Sequence, residues 1–155
     1  MTVNLINRIR SCVSGIRERR LPEESTRAQR GQFGEDLAAD YCRRELGYRI
    51  ISRNWSCQRG EIDLICQDGE VLVFIEVRAR SEDALVSGYH SVNRHKKKIL
   101  RRVCSRYLRR LKEPPKHFRF DIVDVSIRED GAGDVRHYSN IPLFNKHFSV
   151  QGTLL

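Results

Sequence analysis

The chain has 155 residues, 39% hydrophobic and 32% charged, with 29 Lys and Arg against 20 Asp and Glu, a formal charge of +9. This size and balance fit one globular domain with an appendage, and they argue against a helical membrane span, because no apolar run approaches the ~20 residues that crossing requires. Five cysteines, odd in number and without a Cys-x-x-Cys pair, argue against a disulfide framework or a structural zinc site.

Residues 1–25 read as a basic N-terminal extension. Val3, Ile6, Ile9, Val13 and Ile16 recur at helical spacing with arginines between them. As an amphipathic helix this stretch would touch a membrane surface, a partner or RNA; as a basic tail it would stay unstructured. Arg8, Arg10 and Arg17 interrupt the apolar core that a secretory signal needs, so a cytoplasmic location is the default expectation. Leu21-Pro22-Glu23-Glu24-Ser25 reads as a linker, the domain proper is expected over residues 26–148, and residues 149–155 form a tail.

Thr26-x-x-Gln29 has the form of a capping box and opens a helix that runs to about Leu46, with Gly47 as its stop. Phe33, Leu37, Ala38, Tyr41, Cys42 and Leu46 make its apolar stripe. Glu35 borders that stripe, and its plainer reading is a first-half helix acid favoured by the macrodipole. Strands are expected over residues 48–53, 61–66 and 71–77, with Asp68-Gly69 as a hairpin turn between the last two. A second helix spans residues 91–111, facing inward through Val92, Ile99, Val103, Tyr107 and Leu111, and Pro114-Pro115 ends it. Strands follow over residues 118–127 and 135–138. This order predicts an α/β fold, a mixed β-sheet flanked by helices. Cys42, Cys66 and Cys104 read as small core residues. Trp55, just after the first strand, is expected to pack, with base stacking as the alternative. The five histidines are scattered and form no metal pair at helical spacing.

The chemistry lies in Gly60-Glu61-Ile62-Asp63-Leu64-Ile65 and Phe74-Ile75-Glu76-Val77-Arg78-Ala79-Arg80. Both are apolar strands that carry acids, and a buried carboxylate is costly without a cation, a metal or hydrogen bonds. With Asp68-Gly69 as a two-residue turn, alternation places Glu61, Asp63 and Ile65 on one face with Leu72, Phe74, Glu76 and Arg78. Ile62, Leu64, Val73, Ile75 and Val77 take the other face. Asp63 and Glu76 are then diagonal neighbours, roughly 7–8 Å apart at the backbone, a separation that one divalent ion can bridge. Two carboxylates on adjacent strands and a cation two residues on suit phosphodiester hydrolysis. The plainer reading is an exposed hairpin whose acids pair with Arg59, Arg78 and Arg80. Residues 91–112 hold ten Lys or Arg and no acid, which points to a polyanion, and so to nucleic acid, as the partner.

Several ordered motifs carry a resemblance. Gly31-x-x-Gly34-Glu35-x-x-Ala38, Gly60-Glu61-Ile62-Asp63-Leu64-Ile65, Phe74-Ile75-Glu76-Val77-Arg78-x-Arg80, Ser91-Val92 with Lys96, and Arg119-Phe120-Asp121 together resemble the bacterial YraN-like family. Asp63 with Glu76-x-Arg78 is similar to the Asp…Glu-x-Lys core of the PD-(D/E)XK nuclease superfamily. The match covers about residues 28–145. It implies a restriction-endonuclease-like fold, similar to archaeal Holliday-junction resolvases and the tRNA-endonuclease-like domain, and a homodimer as in resolvase-like relatives. It also implies a metal-dependent endonuclease acting on nucleic acid, structured DNA before RNA, with Mg²⁺ or Mn²⁺ as cofactor. Within that resemblance Asp63 and Glu76 are the metal-binding acids, Glu35 is a third ligand directly or through water, and Glu35, Asp63, Glu76 and Arg78 make up the catalytic set. Glu61 matches a motif position that orders water or holds structure. Arg78 stands where the superfamily usually has lysine. Arginine cannot shed a proton to act as a base, so its expected partner is the phosphate. Arg80, Lys96, Lys97, Lys98, Arg101 and Arg102 are the expected contacts to nucleic acid, and Asp121 is expected to pair with a basic neighbour. The rival expectation is a binding protein or docking subunit on the same fold that catalyses nothing.

Overall fold

A reciprocal cap starts the first helix. Thr26 Oγ1 accepts from the Gln29 backbone N–H at 3.2 Å, and Gln29 Oε1 accepts from the Thr26 N–H at 2.8 Å. These bonds satisfy donors that a helix N-terminus otherwise leaves orphaned. The computed structural model describes residues 19–58, 60–84, 92–144 and 148. The amphipathic stretch expected in residues 3–16 and the tail over residues 149–155 lie outside them. Helix α1 spans Arg27–Arg44, and Gly47, at φ +69°, turns the chain back toward the sheet. Strands β1 (Arg49–Cys57), β2 (Gly60–Asp68) and β3 (Val71–Ser81) follow, then α2 (Arg94–Arg110), β4 (His117–Ile127) and β5 (Gly133–Tyr138).

The sheet order is β1-β2-β3-β4-β5. Only β3 and β4 are parallel, joined by α2 as a crossover, and the other pairs are antiparallel. The expected mixed sheet flanked by helices is therefore present, in a restriction-endonuclease-like arrangement. Alternation along β3 feeds two cores. Val73, Ile75 and Val77 pack with Leu37, Ala38 and Cys42 of α1, while Leu72 and Phe74 pack with Leu100, Val103 and Leu108 of α2. Cys42, Cys66 and Cys104 are buried in these layers as expected. The inward residues of α2 are Leu100, Val103, Cys104 and Leu108, with Ile99, Tyr107 and Leu111 at the margin, so its stripe is rotated from the expected one.

Three local expectations need correction. The β2–β3 turn is centred on Gly69-Glu70, since Asp68 pairs with Val71 and Ile65 with Phe74. An Asp-Gly turn of type I′ needs φ > 0 at both residues, but here Gly69 alone has it, at φ +56°, as a turn with glycine in the first central position allows. The register moves by two residues, which by itself preserves facing, and continued one step past the last pair, Leu64–Ile75, it sets Asp63 opposite Glu76. Strand β1 runs on to Cys57, which puts Trp55 inside it. Finally, Ile62 joins the α2-side core with Ile65, three residues on, whereas Leu64 faces α1. The cause lies across the ladder: Asn54 adopts φ +50°, and β1 changes facing there, with Arg53 reaching Asp36 of α1 and Trp55 meeting Tyr107 of α2. Both strands reverse their facing at Asn54 and Asp63 while their pairing stays in register there, the β1–β2 irregularity lying earlier, between Ile50 and Ser52.

Residues 19–22 lie against the domain. The Leu21 N–H donates to Gly131 O at 3.0 Å, Arg20 reaches Asp130, and Gly131 at φ +77° leaves no room for a Cβ beside Leu21.

Candidate active site

Asp63 and Glu76 lie where the β2–β3 ladder opens, and Glu35 is near enough to act on Asp63 electrostatically. The paired residues stop at Leu64 and Ile75, one step short of Asp63 and Glu76. Asp63 Oδ2 instead accepts the Val77 backbone N–H at 2.7 Å, so the side chain takes over a ladder hydrogen bond. Asp63 is 9% exposed and Glu76 2%. The exposed-hairpin reading is thereby excluded for both.

Helix α1 supplies the third acid. Gly34 packs so tightly on Ala79 of β3 that a Cβ would collide with the alanine methyl. That close approach sets Glu35 beside the open end of the ladder. Glu35 sits mid-helix, and the first turn of α1 holds no acid. The macrodipole acts within the first turn, so it does not explain this residue.

The electrostatics are those of acids crowded in an apolar place. Burial and the neighbouring Glu76 carboxylate push Asp63 up to about 7, Glu35 adds to the rise, and the Val77 N–H holds it back. Burial raises Glu76 as well, against Lys96 and Arg78. Lys96 Nζ lies 3.2 Å and Arg78 Nη1 3.6 Å from the same oxygen, Glu76 Oε1. Glu76 Oε2 and Glu35 Oε2 are buried with no hydrogen-bond partner.

These observations test whether a divalent cation suits the site. The donors are hard carboxylate oxygens, two of them orphaned, in a spot where negative charge is penalised, and a cation would relieve both the orphaning and the penalty. Among the described residues no group of three His, Cys, Asp or Glu side chains is placed to hold a metal ion. Mg²⁺ does not need one, because it is commonly held by one or two carboxylates with water completing its shell. The residues fit Mg²⁺ or Mn²⁺, which Asp63 and Glu76 would hold, with Glu35 close enough to act on Asp63.

Residues 34–125 match the family described as uncharacterised protein family UPF0102, a span running from the glycine before Glu35 through both strand acids and α2 to β4. The chain belongs to this family. It is 45% identical to a UPF0102 protein of Symbiobacterium thermophilum over 101 residues, covering 65% of this chain and 85% of that one. It is 39% identical to one of Parafrankia over 107 residues, covering 69% and 90%, and 37% identical to one of Mycolicibacterium vanbaalenii over 119 residues, covering 75% and 95%. The YraN-like resemblance read from the motifs is this UPF0102 membership.

The expected nucleic-acid contacts divide into two groups. Arg80 is turned to structure: its Nε and Nη2 donate to Asp124 Oδ1 and Oδ2, both at 2.9 Å, and its Nη1 to Ala84 O at 3.1 Å. Lys97, Lys98, Arg101 and Arg102 lie along α2, with Lys98 and Arg102 exposed. Lys96, near the N-terminus of the helix, reaches into the acid site. Glu61 is exposed beside Glu76 and raises it. Asp121 pairs as expected, accepting from Arg119 Nε at 3.1 Å and the Asn140 N–H at 2.8 Å, with His137 Nε2 at 2.9 Å. Trp55 packs edge-on to Tyr107, ring centroids 5.2 Å apart.

Two features escaped the sequence reading. Asp124 is fully buried, and its signal was present, since it is an acid in the apolar run Ile122-Val123-Asp124-Val125 just as Asp63 is in β2. The other is that Arg106 and Arg109 join Arg102, already an expected contact, at helical spacing on the outer face of α2.

Proposed function

We propose that this UPF0102 protein is a metal-dependent endonuclease that hydrolyses phosphodiester bonds in nucleic acid, structured DNA before RNA, in the cytoplasm and as a homodimer. The observation that carries the reading is the pair of buried acids, Asp63 and Glu76, one step past the last β2–β3 pair, with orphaned carboxylate oxygens on Glu76 and Glu35. Structural acids are normally satisfied, as Asp121 and Asp124 are here. When bound, the metal would polarise the phosphate and activate water.

The chain's own residues do the rest. Val77 N–H holds Asp63 in one orientation. Glu35 adds a further carboxyl group close enough to act on Asp63, which favours a cation there. Lys96 and Arg78, both on Glu76 Oε1, are placed to shift toward a phosphate and to balance charge that grows on it during attack. Arg78 stays protonated throughout. Helix α2 holds the backbone of the nucleic acid without reading its sequence.

One observation favours the rival reading, a binder without catalysis: Lys96 and Arg78 already neutralise one Glu76 oxygen, as a purely structural ion pair would. A cleavage assay separates the two. Four-way-junction, linear and single-stranded DNA and structured RNA are incubated with Mg²⁺, Mn²⁺ or EDTA, using wild type, Asp63→Ala and Glu76→Ala. The expected result is metal-dependent cutting that falls about 100-fold or more in both variants, with nucleic-acid affinity kept or increased. Binding without cutting, indifferent to metal and to both substitutions, would establish the binder.

A further inference from the structure

Beyond the acid site, a cleft of about 770 Å³ opens between α2 and the end of the β1–β2 hairpin. Apolar and thiol groups of Cys57, Ile99, Val103 and Phe148 line it together with the arginines of α2, among them Arg102, Arg106 and Arg109, and with Gln58 and Ser105. These three arginines step along one side of α2 at intervals of four and three residues, about 6 and 4.5 Å of rise. No acid occurs anywhere in α2. The cleft walls are firm, because Gly60 at the turn end of the hairpin lies so close to the helix that a Cβ would come within 2.6 Å of Ile99 and 2.9 Å of Val103.

Regular duplex would use only part of this surface. Its outward-facing groups are phosphates and sugars, which need cations and polar donors and leave an apolar, aromatic-edged hollow empty. An unpaired nucleotide uses all of it. The base offers a planar apolar face to Phe148 and the other apolar groups, and the phosphates on either side meet the arginine forks. The volume lies within the range of small-molecule clefts, ample for one nucleotide. Lys96, nearer the N-terminus of α2 and on a different side of the helix from the three arginines, contacts Glu76. A strand entering at Arg109 reaches the acids by crossing from the arginine side to the Lys96 side near the start of the helix.

We propose that this cleft holds an unpaired nucleotide of the strand whose backbone runs along α2, so that the preferred substrates carry a single-stranded segment beside the scissile bond. The proposal rests on the nucleic-acid reading of the acid site and narrows its substrate class. DNA and RNA share the chemistry used here.

The test is binding and footprinting on the full chain in EDTA, where no cleavage intervenes. Fluorescence anisotropy compares a short single-stranded oligonucleotide with a duplex of equal length, as DNA and as RNA, at one salt concentration. Alkylation of Cys57, a partly exposed thiol in the cleft lining, is followed by peptide mass spectrometry with each ligand at saturation. The expected result is single-strand affinity about fivefold or more above duplex and slowed alkylation of Cys57 by single strand but not by duplex. Phe148→Ala should remove the single-strand preference, and the footprint on wild type stands even if that variant folds poorly. Equal affinities with Cys57 alkylated at an unchanged rate would overturn the cleft assignment and leave the nuclease reading standing. No binding to any nucleic acid would overturn both.

Discussion

A carboxyl buried as Asp63 is prefers to keep its proton in the folded chain. Its folded value near 7 lies above the ~3.9 of an unfolded aspartate. Between those values the native state holds a proton that the unfolded state has lost, so stability falls as pH rises, by at most about 1.4 kcal/mol per pH unit. Metal-free protein should therefore melt at a lower temperature at pH 7.5 than at pH 5. Asp63→Asn should flatten that slope, and Mg²⁺ should raise the melting temperature mainly at the upper end. Identical pH profiles for wild type and Asp63→Asn would contradict this. Arg80 presents the opposite case, a cation committed to the fold through its bidentate pair with buried Asp124. Arg80→Ala should cost about 3 kcal/mol of stability in chemical denaturation, whereas exposed Lys98→Ala should stay within about 0.5 kcal/mol. The sequence made Asp63 and Glu76 visible as acids in apolar strands. It showed Arg80 only as a further cation, because the partner that claims it lies 44 residues away on β4.

At the scale of elements, the short-range grammar of the chain was legible. The capping box at Thr26, the stop at Gly47 and the alternation of β3 all follow from local chemistry. The hairpin shows how a local misreading can be harmless: moving the turn centre by one residue moves the register by two, and facing is preserved. The reversal at Asn54 and Asp63 had no such signal, since positive φ fell on an asparagine inside a strand rather than on a glycine. Gly34 became meaningful only with Ala79 opposite it. Gly34→Ala should destabilise by about 1–3 kcal/mol through overpacking and reduce cleavage by displacing Glu35. Ala79→Gly in the same chain should recover part of both, as read by denaturation midpoints and initial rates. Additive losses in the double variant would show that the contact does not position Glu35.

Over the whole molecule, charge and acidity are arranged along one helix. Helix α2 carries nine Lys and Arg, begins at the acid site through Lys96 and runs past the cleft to Arg109. The surplus of positive charge was plain in the sequence, but the cleft was not, because it needs the β1–β2 hairpin and Phe148 beside the helix. No helix among the described residues is long and apolar enough to cross a membrane. If α2 neutralises phosphates, affinity for nucleic acid should fall steeply with salt, and the pair Lys98→Gln, Arg102→Gln should make the log–log slope shallower by about 1–2. An unchanged slope would place the binding face elsewhere. The central claim is that Asp63 and Glu76 form a divalent-metal site, and its most direct measurement is a Mn²⁺ titration followed by electron paramagnetic resonance on wild type, Asp63→Ala and Glu76→Ala. Saturable binding to wild type that is lost in both variants is the expected result. Wild type that leaves Mn²⁺ free at millimolar concentration, or binding that both variants retain, would contradict it.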